Sequence, residues 1–409
     1  MNNSPKDYLI NLRRILTERF DEGELRTLCF DLGIDYDNLP GSGKADKARE
    51  LVAYSERHGY IPELVRVAEK QRPDISWVGT AETVPVTTQY GIGVECSDIV
   101  DFVCDVVVLK YAQAFYGADR VVANRISDDY TQGISPQPGQ HILLPSRGKI
   151  AAKQALFVGV LPLSQLGYGE IRGFVNRAMQ ILARNMPSAK HIAMTIHGPG
   201  YGLDETECFL AQIAGLVDAF RSEAVPPFLQ RITIVERNQG RSARLKQILK
   251  EHLPTESLSR PGYGDSVAPQ SRINAAGVQS SAKPHVFVAM PFSEDMEDTY
   301  IFGIQGPVNA VGYLCERVDL TTFTGDIIAR IKSRIETASL VIADLTGANP
   351  NVYLEVGYAW GKNRPTLLIT KKGDELKFDV QSQRCLIYKS ISDLAKKLES
   401  DLRSLSQQA

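Results

Sequence analysis

Apolar residues near the start of the chain recur three and four positions apart. Leu9, Leu12, Ile15, Leu16 and Phe20 form one stripe, and Leu25, Leu28, Cys29 and Leu32 form a second that stops at Gly33. The same period returns near 45–57 and 61–71, so residues 1–75 are expected to fold as an all-helical bundle. Beyond residue 88 the rhythm changes. Apolar runs of strand length at 105–109, 155–160, 191–196 and 231–235 alternate with helical patterns at 171–183 and 208–220, which predicts an α/β layered domain over 88–253. A second alternation begins at residue 285. Strands at 286–290, 313–318, 340–344, 366–370 and 385–388 are interleaved with helices near 325–337, 352–360 and 392–405, predicting a parallel sheet covered on both faces over 285–409. Residues 254–284, rich in Pro, Ser and Gly, read as a flexible linker, and a weaker joint separates Pro73 from Gln89.

Composition adjusts this picture in several places. A chain of 409 residues suggests two or three domains on length alone, and the patterning selects three. With 46 Lys plus Arg against 48 Asp plus Glu the formal charge is −2, which gives no basic surface for nucleic acid. No apolar run approaches the roughly 20 residues that span a bilayer, so no membrane segment is expected. The N-terminal residues 1–7 lack the basic start and apolar stretch of a secretory signal, and the expected location is cytoplasmic. The six cysteines are scattered singly without a C-x-x-C pair, which argues against a disulfide framework or a zinc site.

Two stretches carry candidate chemistry. After the strand at 191–196 the chain runs through Gly198, Gly200, Tyr201 and Gly202 to a helix that begins past Asp204. Glycines at a strand end let backbone N–H groups approach a phosphate, and a helix N-terminus adds a favourable dipole; a glycine-rich turn is also often only a turn. Gly41-Ser42-Gly43-Lys44 is not a phosphate loop, because Asn38 stands where the first glycine belongs and Ala45 replaces the magnesium-binding hydroxyl. In the last domain, polar residues gather at strand ends: Met290 and Ser293 after the first strand, and Asp344, Asn349 and Asn351 after the third. The helix that follows bears Glu355. A carboxylate one turn into a helix beside such a loop suits an oxocarbenium-like centre. The competing reading is that Asp344 and Asn349 shape the turn, that the helix is capped there, and that Glu355 is a solvated helix-face residue. Asp326 and Arg330 read either as further contributors or as an i, i+4 surface pair.

The residues also carry resemblances. The run from Phe20 to Tyr36, with Leu39-Pro40-Gly41 and the helix at 47–54, resembles bacterial death-like, effector-associated domains, which implies homo-oligomeric assembly or a death-like-domain protein partner. The layout of 105–109, the Tyr116-Gly117-Ala118-Asp119 turn, the 155–160 strand and the glycine-rich loop resembles a divergent macro domain. That implies an ADP-ribose-type ligand, although Tyr111-Ala112-Gln113 occupies the Asn-rich loop of catalytic members. The string at 340–365, with its E-x-G-x-A segment and the opening 286–292, is similar to the nucleoside 2-deoxyribosyltransferase-like branch related to TIR domains, with a flavodoxin-like sheet. The family's catalytic glutamate falls on Glu355, while Asn349 stands where deoxyribosyltransferases place an aspartate. Together the resemblances imply a bacterial antiphage-type effector that cleaves an N-glycosidic bond in NAD or a related nucleotide. NAD enters as substrate, and no cofactor or metal is called for. The alternatives are synthesis of an ADP-ribose-type signalling nucleotide and a non-catalytic nucleotide-binding scaffold.

Overall fold

The structure, a computed structural model, describes residues 5–58, 60–75, 89–127, 133–259, 271–318, 327–374, 380 and 383–406. The architecture is multidomain: an N-terminal helical region, an α/β domain on a mixed sheet, and a second α/β domain on an all-parallel sheet. Among the described residues no helix is long and apolar enough to cross a membrane.

Four helices make up the N-terminal region: α1 (Pro5–Arg19), α2 (Glu22–Asp31), α3 (Lys44–His58) and α4 (Ile61–Gln71). The sequence stripes become its core, with Leu12, Leu16, Phe20, Leu25, Leu28, Leu51 and Leu64 almost fully buried. Asp21 and Glu24 start α2 by capping each other's backbone N–H, at 2.7 and 2.8 Å. Gly33, at φ +67°, supplies the left-handed residue that ends the helix. The Lys44 ammonium donates to the Phe20 carbonyl at 3.0 Å, so the Gly41–Lys44 turn serves packing rather than phosphate.

The middle domain is built on a seven-stranded sheet ordered β3-β4-β2-β5-β6-β1-β7. Its strands are β1 (Gln89–Cys96), β2 (Val106–Tyr111), β3 (His141–Pro145), β4 (Gln154–Gly159), β5 (His191–Met194), β6 (Arg231–Glu236) and β7 (Ser257–Ser259). The central pairings are parallel and the two edge strands, β3 and β7, are antiparallel. Alternation along the strands feeds two cores. Val106 and Val108 pack with α6 (Tyr168–Asn185) and α7 (Glu205–Arg221) on one face, while Val107 and Leu109 pack with α5 (Gly117–Ser127) on the other. Helix α8 (Gln239–His252) joins the first of these cores through Leu245 and Leu249.

The C-terminal sheet is five-stranded and wholly parallel, ordered β12-β11-β10-β8-β9. It comprises β8 (His285–Ala289), β9 (Leu314–Glu316), β10 (Leu340–Asp344), β11 (Thr366–Lys371) and β12 (Cys385–Tyr388). The chain steps from β8 outward to β9 and then crosses back to β10. That reversal opens a crevice between the carboxyl ends of β8 and β10, where ligands sit in open α/β sheets. Helices α12 (Ile327–Thr337) and α13 (Pro350–Gly361) cover one face. The other face carries α11 (Gly306–Ala310), α14 (Ile391–Ser406) and a π-helical stretch, Thr299–Gln305, that follows α10 (Glu294–Asp298).

The stretch read as a flexible linker is docked at both of its described ends. Strand β7 pairs with β1, with Tyr90 opposite Leu258. Helix α9 (Ser271–Ala275) lies against α7, and Ile273 and Ala276 are buried in the middle-domain core. Arg172 grips this segment, donating to the carbonyls of Asn274 and Ala276 at 2.8 and 2.7 Å while pairing with Asp218. Few apolar residues are needed when one guanidinium satisfies the backbone.

Candidate functional site

The carboxyl ends of four of the five parallel strands of the middle sheet, β1, β2, β5 and β6, open onto a cavity of about 380 Å³. Asp98 and Ile99 follow β1, Lys110 lies near the end of β2, residues 195–201 follow β5, and Glu236 and Arg237 mark the end of β6. Of the four glycine-loop residues singled out from sequence, Gly198, Gly200 and Tyr201 line this cavity and Gly202 does not. Gly198 sits at φ +113°, and a Cβ there would lie 2.4 Å from the Cys208 Sγ, so no larger residue fits the turn. Gly202, at φ +89°, faces the other way, where a Cβ would approach Val318 to 2.7 Å.

The helix dipole expected from the α7 N-terminus is directed elsewhere. The Asp204 carboxylate caps α7, accepting from the Glu207 N–H at 2.9 Å, and Glu205 and Glu207 fill the first turn. The first turns that line the cavity are those of α5, through Gly117, Ala118 and Asp119, and of α8, through Arg241. Sequence reasoning noted the turn at 116–119 only as part of a layout. Two residues lining the same cavity, Asp98 and Arg237, were missed because single polar residues at strand ends carry no periodic signal.

Charge in the cavity is largely paired. The Lys110 ammonium, almost fully buried, bridges to the Asp119 carboxylate and lies 5.1 Å from the centre of the Tyr201 ring. Burial alone would lower the Lys110 pKa, but contact with Asp119 outweighs it and the ammonium stays charged. Burial, with Lys110 nearby, pushes His197 well below its ordinary value and keeps it neutral. Arg241 is held by Glu205 at 2.8 Å and by Glu236 at 3.6 Å. The cavity can therefore take a ligand by backbone amides and polar side chains without leaving a buried charge unbalanced.

The C-terminal crevice is arranged differently. Ala343 of β10 pairs with Ala289 of β8, so Met290 and Asp344 leave the sheet side by side. Met290 is buried, with its sulfur 3.7 Å from Arg317, whose guanidinium stacks between the Phe292 and Tyr300 rings. Ser293 is exposed at the start of α10, and its side chain makes no capping bond. Asp344 is fully buried and shapes the loop. One oxygen accepts from the Thr346 N–H and the other from the Tyr388 hydroxyl, each at 3.0 Å, which ties the carboxyl ends of β10 and β12 together. Asn349 caps α13, accepting from the Asn351 N–H at 2.9 Å with Pro350 in the first helical turn. Asn351 is exposed.

Glu355 stands one turn into α13, beside Val352 and Val356, which anchor the helix to the sheet. It is partly buried, and among the described residues no side chain pairs with it. Burial raises its pKa to about 7. Of the candidates in this domain, only Glu355 combines partial exposure with an unbalanced carboxyl. Arg330 is not a surface residue: it is buried and turned toward the middle domain. Asp326 lies outside the described residues.

Residues 12–73 match the model of effector-associated domain 7. No curated protein matches the chain. Among solved structures, the chain is similar to a Trypanosoma brucei macrodomain in complex with ADP, with 13% identity, 39% of this chain and 69% of that chain covered, and a TM-score of 0.33. It is similar to an Oceanobacillus iheyensis macrodomain with ADP, with 11% identity, 41% and 93% covered, and a TM-score of 0.33. It is also similar to a Clostridium botulinum CMP N-glycosidase, with 17% identity, 28% and 98% covered, and a TM-score of 0.24.

Proposed function

We propose that this chain is an antiphage-type effector that self-assembles through its N-terminal helices and cleaves the N-glycosidic bond of NAD or a related nucleotide in its C-terminal domain. The middle cavity binds an ADP-ribose-type nucleotide. The effector-associated domain match at 12–73 supports the first part of this reading. The observation that carries the chemistry is Glu355, a carboxyl without a countercharge among the described residues, on the helix leaving the sheet's reversal point, with its pKa raised to about 7 by burial. Such a group is poised to act as a carboxylate near neutrality. It attacks or electrostatically stabilises C1′ of the ribose while the nicotinamide or base departs with the bonding electrons. Water then supplies hydroxyl to C1′; its proton goes to solvent when nicotinamide leaves as a neutral molecule, and to the departing nitrogen when a base leaves as an anion.

The test is incubation of assembled full-length protein with NAD, nucleosides and deoxynucleosides, with products separated by chromatography. Release of nicotinamide or base by wild type and its loss in Glu355→Gln is the expected result. Turnover retained by Glu355→Gln would overturn the assignment. One observation favours a second reading, nucleotide binding without cleavage: Asp344 and Asn349 are both taken up by the fold, as loop-shaping and capping residues. No release from any of the substrates would select it.

A further inference from the structure

The loop between β5 and α7 has two working faces. On one, Gly198, Pro199, Gly200 and Tyr201 line the middle cavity. On the other, the same loop holds the C-terminal domain. Tyr201 forms an antiparallel bridge with Val318, just beyond β9. Its carbonyl accepts from the Arg330 Nε at 3.1 Å, and the same guanidinium donates to the Ser164 carbonyl at 3.1 Å. Three residues on, the second oxygen of the Asp204 carboxylate accepts from the Cys315 N–H of β9 at 3.0 Å. The Asp204 N–H donates to the Tyr168 hydroxyl at 2.9 Å, and that hydroxyl donates to Glu316 at 2.8 Å. Asp204 and Glu316 are at most 1% exposed.

These contacts continue into the C-terminal site. Arg330 lies on α12. Helix α12 is fastened to α13, the helix that carries Glu355, by Glu336, which accepts from the Tyr358 hydroxyl at 2.5 Å and pairs with Lys362 at 2.7 Å. Gly198 and Gly202, both in the left-handed region and both packed too closely to admit a Cβ, flank Tyr201 and fix the course of the loop between the two domains. A close-packed interface transmits a displacement rather than absorbing it.

We propose that occupancy of the middle cavity is coupled to the C-terminal domain through this loop, with Tyr201 and Arg330 as positioning residues. A nucleoside diphosphate sugar such as ADP-ribose and the docked α12–α13 pair stabilise each other, so the ligand sets the placement of Glu355. The proposal rests on reading the cavity as an ADP-ribose-type site. Coupling is reciprocal, so changes at the interface must alter affinity in a cavity they do not line.

The experiment measures ADP-ribose binding to the full chain by calorimetry for wild type, Arg330→Met and Tyr168→Phe. Neither residue lines the cavity, and the second change keeps the packing volume. Hydrogen exchange is followed with and without ligand. The expected result is affinity reduced about fivefold or more in both variants. ADP-ribose should also slow exchange in 327–337 of wild type and leave it unchanged in the variants. Affinities within twofold of wild type, with protection confined to the middle domain, would overturn the coupling while leaving the cavity assignment standing. A gain in affinity would overturn its sign. Absence of ADP-ribose binding to wild type would overturn the cavity reading and the coupling with it.

Discussion

The two sheets present their parallel carboxyl ends in the same way and equip them oppositely. In the middle domain the buried cation has its own anion: Lys110 meets Asp119, and Arg241 is held by Glu205 and Glu236. In the C-terminal domain the corresponding edge keeps Glu355 without a countercharge among the described residues and near its midpoint at neutral pH. A neutralised cavity favours recognition, because a ligand can enter and leave without stranding a charge. An unbalanced carboxyl is a cost to the fold of the kind that reacting centres put to use. On the proposed reading, the difference separates a site that holds a ligand from a site that reacts.

The sharpest way to break this contrast is Glu355→Gln. Cleavage should fall by about 10⁴-fold, the scale seen when one member of a catalytic unit is removed. Affinity of the middle cavity for ADP-ribose should be unchanged, since amide for carboxyl leaves the α12–α13 backbone in place. Equal losses in both measurements would erase the distinction between the sites. Next in size is Lys110→Met, which strands the Asp119 carboxylate and should cost about 3–5 kcal/mol in chemical denaturation. Adding Asp119→Leu should recover most of that loss, and failure to recover would mean that the pair is not balanced internally.

The third prediction concerns pH. Glu355 binds its proton more tightly in the folded chain, with a pKa of about 7, than in the unfolded one. Its contribution to stability is present below about pH 4.5 and is lost as pH rises through about 7. Glu355→Gln should therefore stabilise the chain at pH 8 by about 2 kcal/mol, less than the full shift implies because the side chain is still partly wet, with no gain at pH 4. Thermal unfolding across this range measures it. The activity should run in the opposite sense: kcat/KM should climb about tenfold per pH unit below 7 and level above it, and a falling profile would make Glu355 an acid instead of a carboxylate. The smallest effect is at the cap. Asn349→Ala should cost about 1 kcal/mol, whereas Asn349→Asp should stay within a few tenths, since both side chains accept from the Asn351 N–H.

Much of this was legible in the sequence, for reasons that differ by region. The stripes of α1–α4 and the apolar runs of β2, β4, β5, β6, β8 and β10 are periodic, and each fell within a few residues of its observed bounds. Strand β1 was not, because Gly91 and Gly93 interrupt its apolar run, and β7 has only three residues. Helix α8 was placed only through the macro-domain layout, as the helix after the last strand, because Ser242, Leu245 and Leu249 are its only buried positions among mostly polar neighbours. At the C-terminal site the motif located Glu355 and its helix. It did not reveal that Asp344 would be consumed by Tyr388, 44 residues on, since a long-range hydrogen bond leaves no local pattern. The interface was invisible for the same reason, being assembled from isolated polar residues such as Tyr168, Asp204, Glu316 and Arg330. Composition also misled at 254–284, where three buried apolar residues, Leu258, Ile273 and Ala276, and Arg172 anchor the described parts of a segment that looks unstructured.

The docking of β9 has a practical side. Leu314 belongs to the hydrophobic core of the middle domain, although its backbone pairs with β8 in the other sheet. A fragment ending near residue 284 would lose Leu314 from that core. It would also lose the N–H that answers the second oxygen of Asp204, and would expose the Tyr168 hydroxyl without Glu316. The boundary that looks cleanest in the backbone is thus a poor place to divide this chain for expression, because the middle domain finishes its interior with a side chain it does not own.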